Sequence, residues 1–194
     1  MGTEETRALD REDMARLQAG HDAALNRLME RHAAAVYQFL YRMLGDEEDA
    51  RDLAQETFVR VYRSRDSFRP ELTFSNWLFT IAGNLARNRI RWRARHPTVS
   101  LESDENNASG SAGETLPSGV PSPDRQIEVS ERNAAVRRAV LELPEDLREA
   151  LVLCEWEDLA VAEAARILGT TAKAVESRLY RARNQLRERL RQWL

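Results

Sequence analysis

Residues 84–95 read NLARNRIRWRAR, with arginine at every second position from Arg87 to Arg95. Alternation at period two marks a strand with one wet face. The flanking segments, NWLFTIAG before and HPTVS after, do not look like a hairpin. At about 100° per residue the same letters sort differently. Asn84, Arg87, Asn88, Arg91 and Arg95 fall on one polar face, and Arg89 and Arg93 on a second stripe with no evident partner. Leu78, Ile81, Ala82 and Leu85 supply an inner face just before it. The stretch is therefore predicted to be a helix, and no other segment of the chain reads as a strand.

Working outward, the neighbouring segments follow the same period. HDAALNRLMERHAAAVYQFLYRML places Leu25, Leu28, Met29, Val36, Phe39, Leu40 and Met43 at helical spacing, with Gly45 as a stop. GDEEDARDLAQETFVRVYRS opens with acids, which suit the positive end of a helix. DSFRPELTF is a proline-bearing loop, and a helix restarts near Phe74. The predicted fold is all-α, with two small helical domains joined by a flexible acidic linker. The linker is set by composition. From Pro97 to about Asp124 the chain is rich in Ser, Gly, Pro, Asn and acids and too poor in apolar residues to offset its ordering entropy. The expected division is 1–96, 97–125 and 126–194.

Bulk properties exclude several classes. The 194 residues are 42% hydrophobic and 31% charged, with formal net charge −3. That balance hides strong polarity, because acids gather at 46–52 and 102–124 and arginines at 87–95 and 178–191. Cys154 is the one cysteine, so no internal disulfide framework is expected. His21, His32 and His96 have no metal-ligand spacing, and no cofactor or metal is expected. The opening MGTEETRALDRED is acidic, so no signal peptide is expected. No stretch approaches the roughly 20 apolar residues of a membrane span, and a cytoplasmic location follows as the default. Gly-rich phosphate loops and nucleophile–base pairs are absent, so an enzyme is not expected.

The C-terminal segment AEAARILGTTAKAVESRLYRAR has the form of a helix-turn-helix. A helix with Ala164, Ala165, Ile167 and Leu168 ends at Gly169, and Thr170 or Thr171 can cap the next. Val175, Leu179, Ala182 and Leu186 face inward, leaving Lys173, Glu176, Ser177, Arg178, Arg181 and Asn184 outside. In the N-terminal part, Asn and Arg on one face are the types that contact bases and phosphates. Phe68, Phe74, Trp77 and Phe79 lie just upstream, where aromatics suit unstacked bases, although Trp77 and Phe79 also suit a core. Pattern alone leaves open a DNA-binding regulator with a helical dimerisation domain.

Three motifs in order resemble the extracytoplasmic-function sigma factors of bacteria. DARDLAQETFVRVYRS resembles that family's core-binding helix, and DSFRPELTFSNWLFTIAGNLARNRIR its promoter −10 segment. LPEDLREALVLCEWEDLAVAEAARILGTTAKAVESRLYRAR resembles its −35-binding domain. The resemblance implies that Asp49, Asp52, Leu53, Gln55 and Glu56 face the clamp helices of the polymerase largest subunit. It implies capture of an extruded base by the loop from Phe68 to Thr73, with Asn84, Arg87, Asn88 and Arg91 holding the opened −10 strand. It implies that Lys173, Glu176, Ser177, Arg178, Tyr180 and Arg181 meet the −35 major groove. Implied partners are core polymerase through clamp helices and flap, promoter DNA and an anti-sigma factor, with no small-molecule substrate and no membrane insertion. Two departures stand out. LAVAEAA (159–165) replaces the family's bulkier LSYEEIA, and Glu176 sits where Lys or Arg is usual. Glutamate there could accept from cytosine N4 or simply favour the helix start.

Overall fold

The computed structural model of the chain describes residues 4–69, 71–96 and 123–193. Among these, the regular elements are all helical: α1 (Glu4–Gln18), α2 (Ala23–Leu44), α3 (Glu47–Arg63), α4 (Phe74–Arg95), α5 (Pro123–Leu141), α6 (Glu145–Glu155), α7 (Val161–Ile167) and α8 (Ala172–Arg189). Short 3-10 turns lie at Arg65–Ser67 and Arg191–Trp193. The arginine alternation of 84–95 is helical, as its 3.6-residue reading required. The expected linker falls mostly outside the described residues, and α5 begins at Pro123, inside its predicted span.

Local chemistry sets the helix ends. Gly45 closes α2 at φ 71°, with its N–H donating to Tyr41 O, a conformation that favours glycine. Asp46 caps α3 by accepting from the Asp49 N–H at 2.8 Å. In α8 the cap falls to Thr171, whose hydroxyl accepts from the Ala174 N–H at 3.2 Å. Gly169 supplies the left-handed turn before it, at φ 61°.

The N-terminal bundle packs α2 against α1, α3 and α4. Val36, Phe39, Leu40 and Met43 of α2, Val61 of α3 and Leu78 of α4 are fully buried. In the C-terminal part, α6 and α7 pack on the inner face of α8, where Val175, Leu179 and Ala182 are buried. The two parts also pack on each other. α4 meets α7, α2 meets α5 and α6, and the buried apolar residues form one continuous cluster.

Helix α1 was not legible in the sequence. Its buried face is half charged: Asp10 and Asp13 are 4% exposed, beside the fully buried Met14 and Leu17. Arg31 of α2 donates to Asp10 Oδ1 at 2.9 Å and Asp13 Oδ2 at 2.7 Å, and Arg27 to Asp13 Oδ1 at 2.7 Å. His32 Nε2 lies 2.9 Å from the Asp10 carboxylate. Buried carboxylates need such partners, so α1 is fixed by ion pairs as well as by its two apolar side chains.

Candidate nucleic-acid and polymerase interfaces

The second arginine stripe of α4 has partners in α3. Arg89 pairs with Asp49 Oδ1, and Arg93 Nη2 lies 2.6 Å from Asp49 Oδ2 and 3.0 Å from Asp46 Oδ2. Asp49 is only 8% exposed and its carboxylate pairs with two arginines, so it ties α3 to α4. Leu53 is 7% exposed and belongs to the core. Asp52 and Gln55 are exposed, and Glu56 is half-buried with Arg60 at 2.8 Å. These three form the acidic outer edge of α3.

On α4, Asn84, Asn88 and Arg91 are exposed and Arg87 is half-buried. Arg87 Nη2 donates to Asn84 Oδ1 at 2.6 Å, so the two side chains are set as a unit. Its Nη1 donates to Glu149 of α6. At the last turn, Trp92 is 48% exposed and stacks on His96 with ring centroids 4.9 Å apart. Nothing in the sequence pattern singled out this aromatic pair.

Upstream, the loop from Phe68 to Thr73 forms a small recess of about 70 Å³ with residues from α1. Phe68, Leu72, Thr73 and Phe74 line it together with Arg7, Arg11 and Glu71. Phe68 is 5% exposed and packs against Trp77 at 5.2 Å, so it is a wall and not a free stacking platform. Phe79 is core, edge-on to Phe39 at 5.3 Å. Gln18 of α1 donates to the backbone oxygens of Arg65 at 2.9 Å and Phe68 at 3.1 Å and so fixes the loop from behind. Pro70 lies outside the described residues.

On α8, Lys173, Glu176, Ser177, Tyr180 and Arg181 line one open hollow, with Tyr180 the most exposed large apolar side chain described. Arg178 turns toward α6, where its Nε lies 3.4 Å from Asp146 Oδ2. Arg183 and Arg189 also have acidic neighbours, Glu155 at 2.5 Å and Glu142 at 3.2 Å. The basic face of α8 is therefore narrower than the count of arginines implies.

The seam between the two parts is polar at its edges. Arg42 of α2 lies 3.4 Å from Glu157 and over the Trp156 ring at 5.5 Å from its centroid. Burial pushes the Glu157 carboxyl up to about 7, against the pull of Arg42. Burial likewise raises Glu149, with Arg87 opposing. Arg148 donates to Met43 O and Leu143 O, and Arg137 to the Tyr41 hydroxyl.

Among the described residues, no helix is long and apolar enough to cross a membrane, and no group of three potential ligands could hold a metal ion. Residues 28–96 match the Sigma-70 region 2 family and residues 133–186 the Sigma-70, region 4 family. The RNA polymerase sigma-H factor of Pseudomonas aeruginosa is 33% identical over 181 residues, 93% of this chain and 93% of that protein. The ECF RNA polymerase sigma factor SigE of Mycolicibacterium smegmatis is 36% identical over 174 residues, 88% of this chain, which spans 64% of that protein's length. Among solved structures, the sigma factor RpoE of Bartonella quintana, in complex with the anti-sigma factor NepR, aligns with TM-score 0.63 and 26% identity. That alignment covers 86% of this chain and 96% of RpoE.

Proposed function

The chain belongs to the extracytoplasmic-function family of RNA polymerase sigma factors, and on that premise we propose how its surfaces divide the work of promoter recognition. The outer edge of α3, with Asp52, Gln55 and Glu56, meets the clamp helices of the polymerase largest subunit. An acidic helix edge meeting a basic partner gives fast, oriented association. Asn84, Arg87, Asn88 and Arg91 hold the opened −10 strand, and the recess behind Phe68 takes an extruded base. Lys173, Glu176, Ser177, Tyr180 and Arg181 of α8 enter the −35 major groove, with Arg178 joining once it leaves Asp146. The C-terminal part also rests on the polymerase flap.

One observation carries the −10 assignment. A linear edge of Asn and Arg on α4 follows in sequence an aromatic-walled recess that Arg7 and Arg11 also line. Phosphate contacts position a strand and a recess takes a base, and a duplex-only reader needs no such recess. On this reading the chain catalyses nothing itself and needs no cofactor, since the polymerase supplies the chemistry. It acts in the cytoplasm and is held inactive by an anti-sigma factor, a partner of the kind that RpoE has in NepR. Division into 1–96 and 126–194 around an acidic linker fits these roles. The test is retention of core polymerase by the purified chain, followed by run-off transcription on genomic fragments. A chain that neither binds core nor directs initiation overturns the assignment.

A further inference from the structure

Helix α8 carries one acid in the middle of its outer face. Lys173, Glu176, Ser177, Tyr180 and Arg181 line one open hollow, at spacings that place them on a single stripe of the helix. At 1.5 Å per residue the stripe is about 12 Å long, roughly three to four base-pair steps. Glu176 is exposed, and its carboxylate has no hydrogen-bond or ion-pair partner among the described residues. The other acid of α8, Glu188, lies beyond the stripe near the end of the helix.

Glu176 serves neither of the local purposes open to an acid there. It lies past the first turn of α8, which holds no acid, so it does not complement the positive helix end. Nor does it neutralise a basic neighbour. Arg178, Arg183 and Arg189 pair instead with Asp146, Glu155 and Glu142. Lys173, one turn earlier, makes no ion pair with it. Ser177 Oγ donates to Lys173 O at 3.0 Å, and Arg181 Nε to Ser177 O at 3.4 Å, so both side chains turn to their own backbone.

Against duplex DNA a carboxylate in this place is selective. It repels phosphate, and when ionised it can only accept hydrogen bonds. In the major groove guanine offers O6 and N7 and thymine offers O4, all acceptors. Adenine offers its N6 amine beside the acceptor N7, which repels the second carboxylate oxygen. Cytosine offers the N4 amine with no acceptor beside it on the same base. A carboxylate desolvated in the groove without a donor costs more than its other contacts return, so the base opposite Glu176 is narrowly constrained.

We infer that Glu176 is a base-reading residue: its carboxylate accepts from the N4 amine of one cytosine in the −35 duplex and excludes guanine from that position. This rests on the assignment of α8 to the −35 groove. Lys173 and Arg181, at the two ends of the stripe, hold flanking phosphates and offset the repulsion between Glu176 and the backbone.

The test uses holoenzyme assembled from core polymerase and the full chain. The probe is a pool of duplex DNA of fully randomised sequence, selected for retention and then sequenced. The parent should enrich cytosine at one fixed position of the −35 motif, preferred to guanine there by about fivefold or more. Glu176→Gln should move that position to adenine and Glu176→Arg to guanine, with the neighbouring positions unchanged. Both variants alter an exposed side chain, so their circular dichroism should match the parent. Lys173→Ala/Arg181→Ala should instead weaken retention across all sequences and lower the salt slope by about 2. If that pair weakens binding while both Glu176 variants keep the parental base preference, the inference is overturned and α8 stays in the groove. Equal tightening on every sequence by Glu176→Gln also overturns it, because the carboxylate then only repels phosphate. If no variant changes either motif or affinity, α8 is not in the groove, and the −35 assignment falls together with the inference.

Discussion

Arg93 Nη2 of α4 stands 2.6 Å from Asp49 Oδ2 of α3, a close ion pair whose alignment falls short of a hydrogen bond. With Arg89 on the other oxygen, it converts two of the five arginines of the run into a strap between two helices. Arg93 is 39% exposed, so Arg93→Ala alone should cost about 1 kcal/mol. Arg89→Ala/Arg93→Ala leaves a buried carboxylate unpaired and should cost about 3 kcal/mol. Urea unfolding measures both, and a double variant as stable as the parent removes the strap from the contacts that hold the fold.

Removing the other stripe should act on function and not on stability. Asn84 and Arg91 are exposed, and base or phosphate contacts of this kind are worth about 1–3 kcal/mol each. Asn84→Ala/Arg91→Ala should therefore lower open-complex formation at least about tenfold, read by permanganate reactivity of unpaired thymines. Core affinity should stay the same. Unchanged reactivity would mean that this edge does not hold the opened strand.

The α3 edge is testable by charge reversal. Asp52→Lys/Glu56→Lys should slow association with core polymerase, most strongly at low salt, and leave the helical signal intact. Loss of the Glu56–Arg60 pair is a minor effect, because both residues are partly solvated. If association rates match the parent across a salt series, α3 does not form the polymerase contact.

The seam should respond to pH. Glu157 sits at about 7 in the closed arrangement because burial raises it more than Arg42 lowers it, and Glu149 is raised in the same way. Solvated by opening, both return toward the ordinary value of 4.5. The closed form then binds more protons between pH 4.5 and about 7, so its stability falls as pH rises through that window. Scattering should show expansion from about pH 5 to about pH 7.5, and Glu157→Gln should flatten the curve. Asp13 works in the opposite sense in α1. Burial alone would raise it, but Arg27 and Arg31 hold it below its ordinary value, and that support is lost only in stronger acid. Contraction on raising pH, or a flat profile in the parent chain, would rule out the seam as the titrating element.

The helices of the bundle were readable because their buried positions are apolar at one period, as in the α2 stripe ending at Gly45. The cap at Thr171 and the inner face of α8 were readable for the same local reasons. α1 was not, because carboxylates occupy half of its buried face and their partners lie in the next helix. Asp49 looked like a surface acid within an acidic first turn, and only its position opposite Arg89 and Arg93 reveals its structural role. Glu149 in PEDLREALVL has the same ambiguity. Local periodicity gives a helix its face, but a pair 62 residues apart depends on how whole helices dock.

The order in which the chain is made bears on the Arg87–Glu149 contact. Arg87 is synthesised 62 residues before Glu149, and Arg7 is synthesised 156 residues before Glu163. At about 5–20 residues per second, the α4 edge waits roughly 3–12 s for its carboxylate. A nascent N-terminal bundle therefore presents Arg87 and Arg7 without their carboxylates until the C-terminal helices have been made.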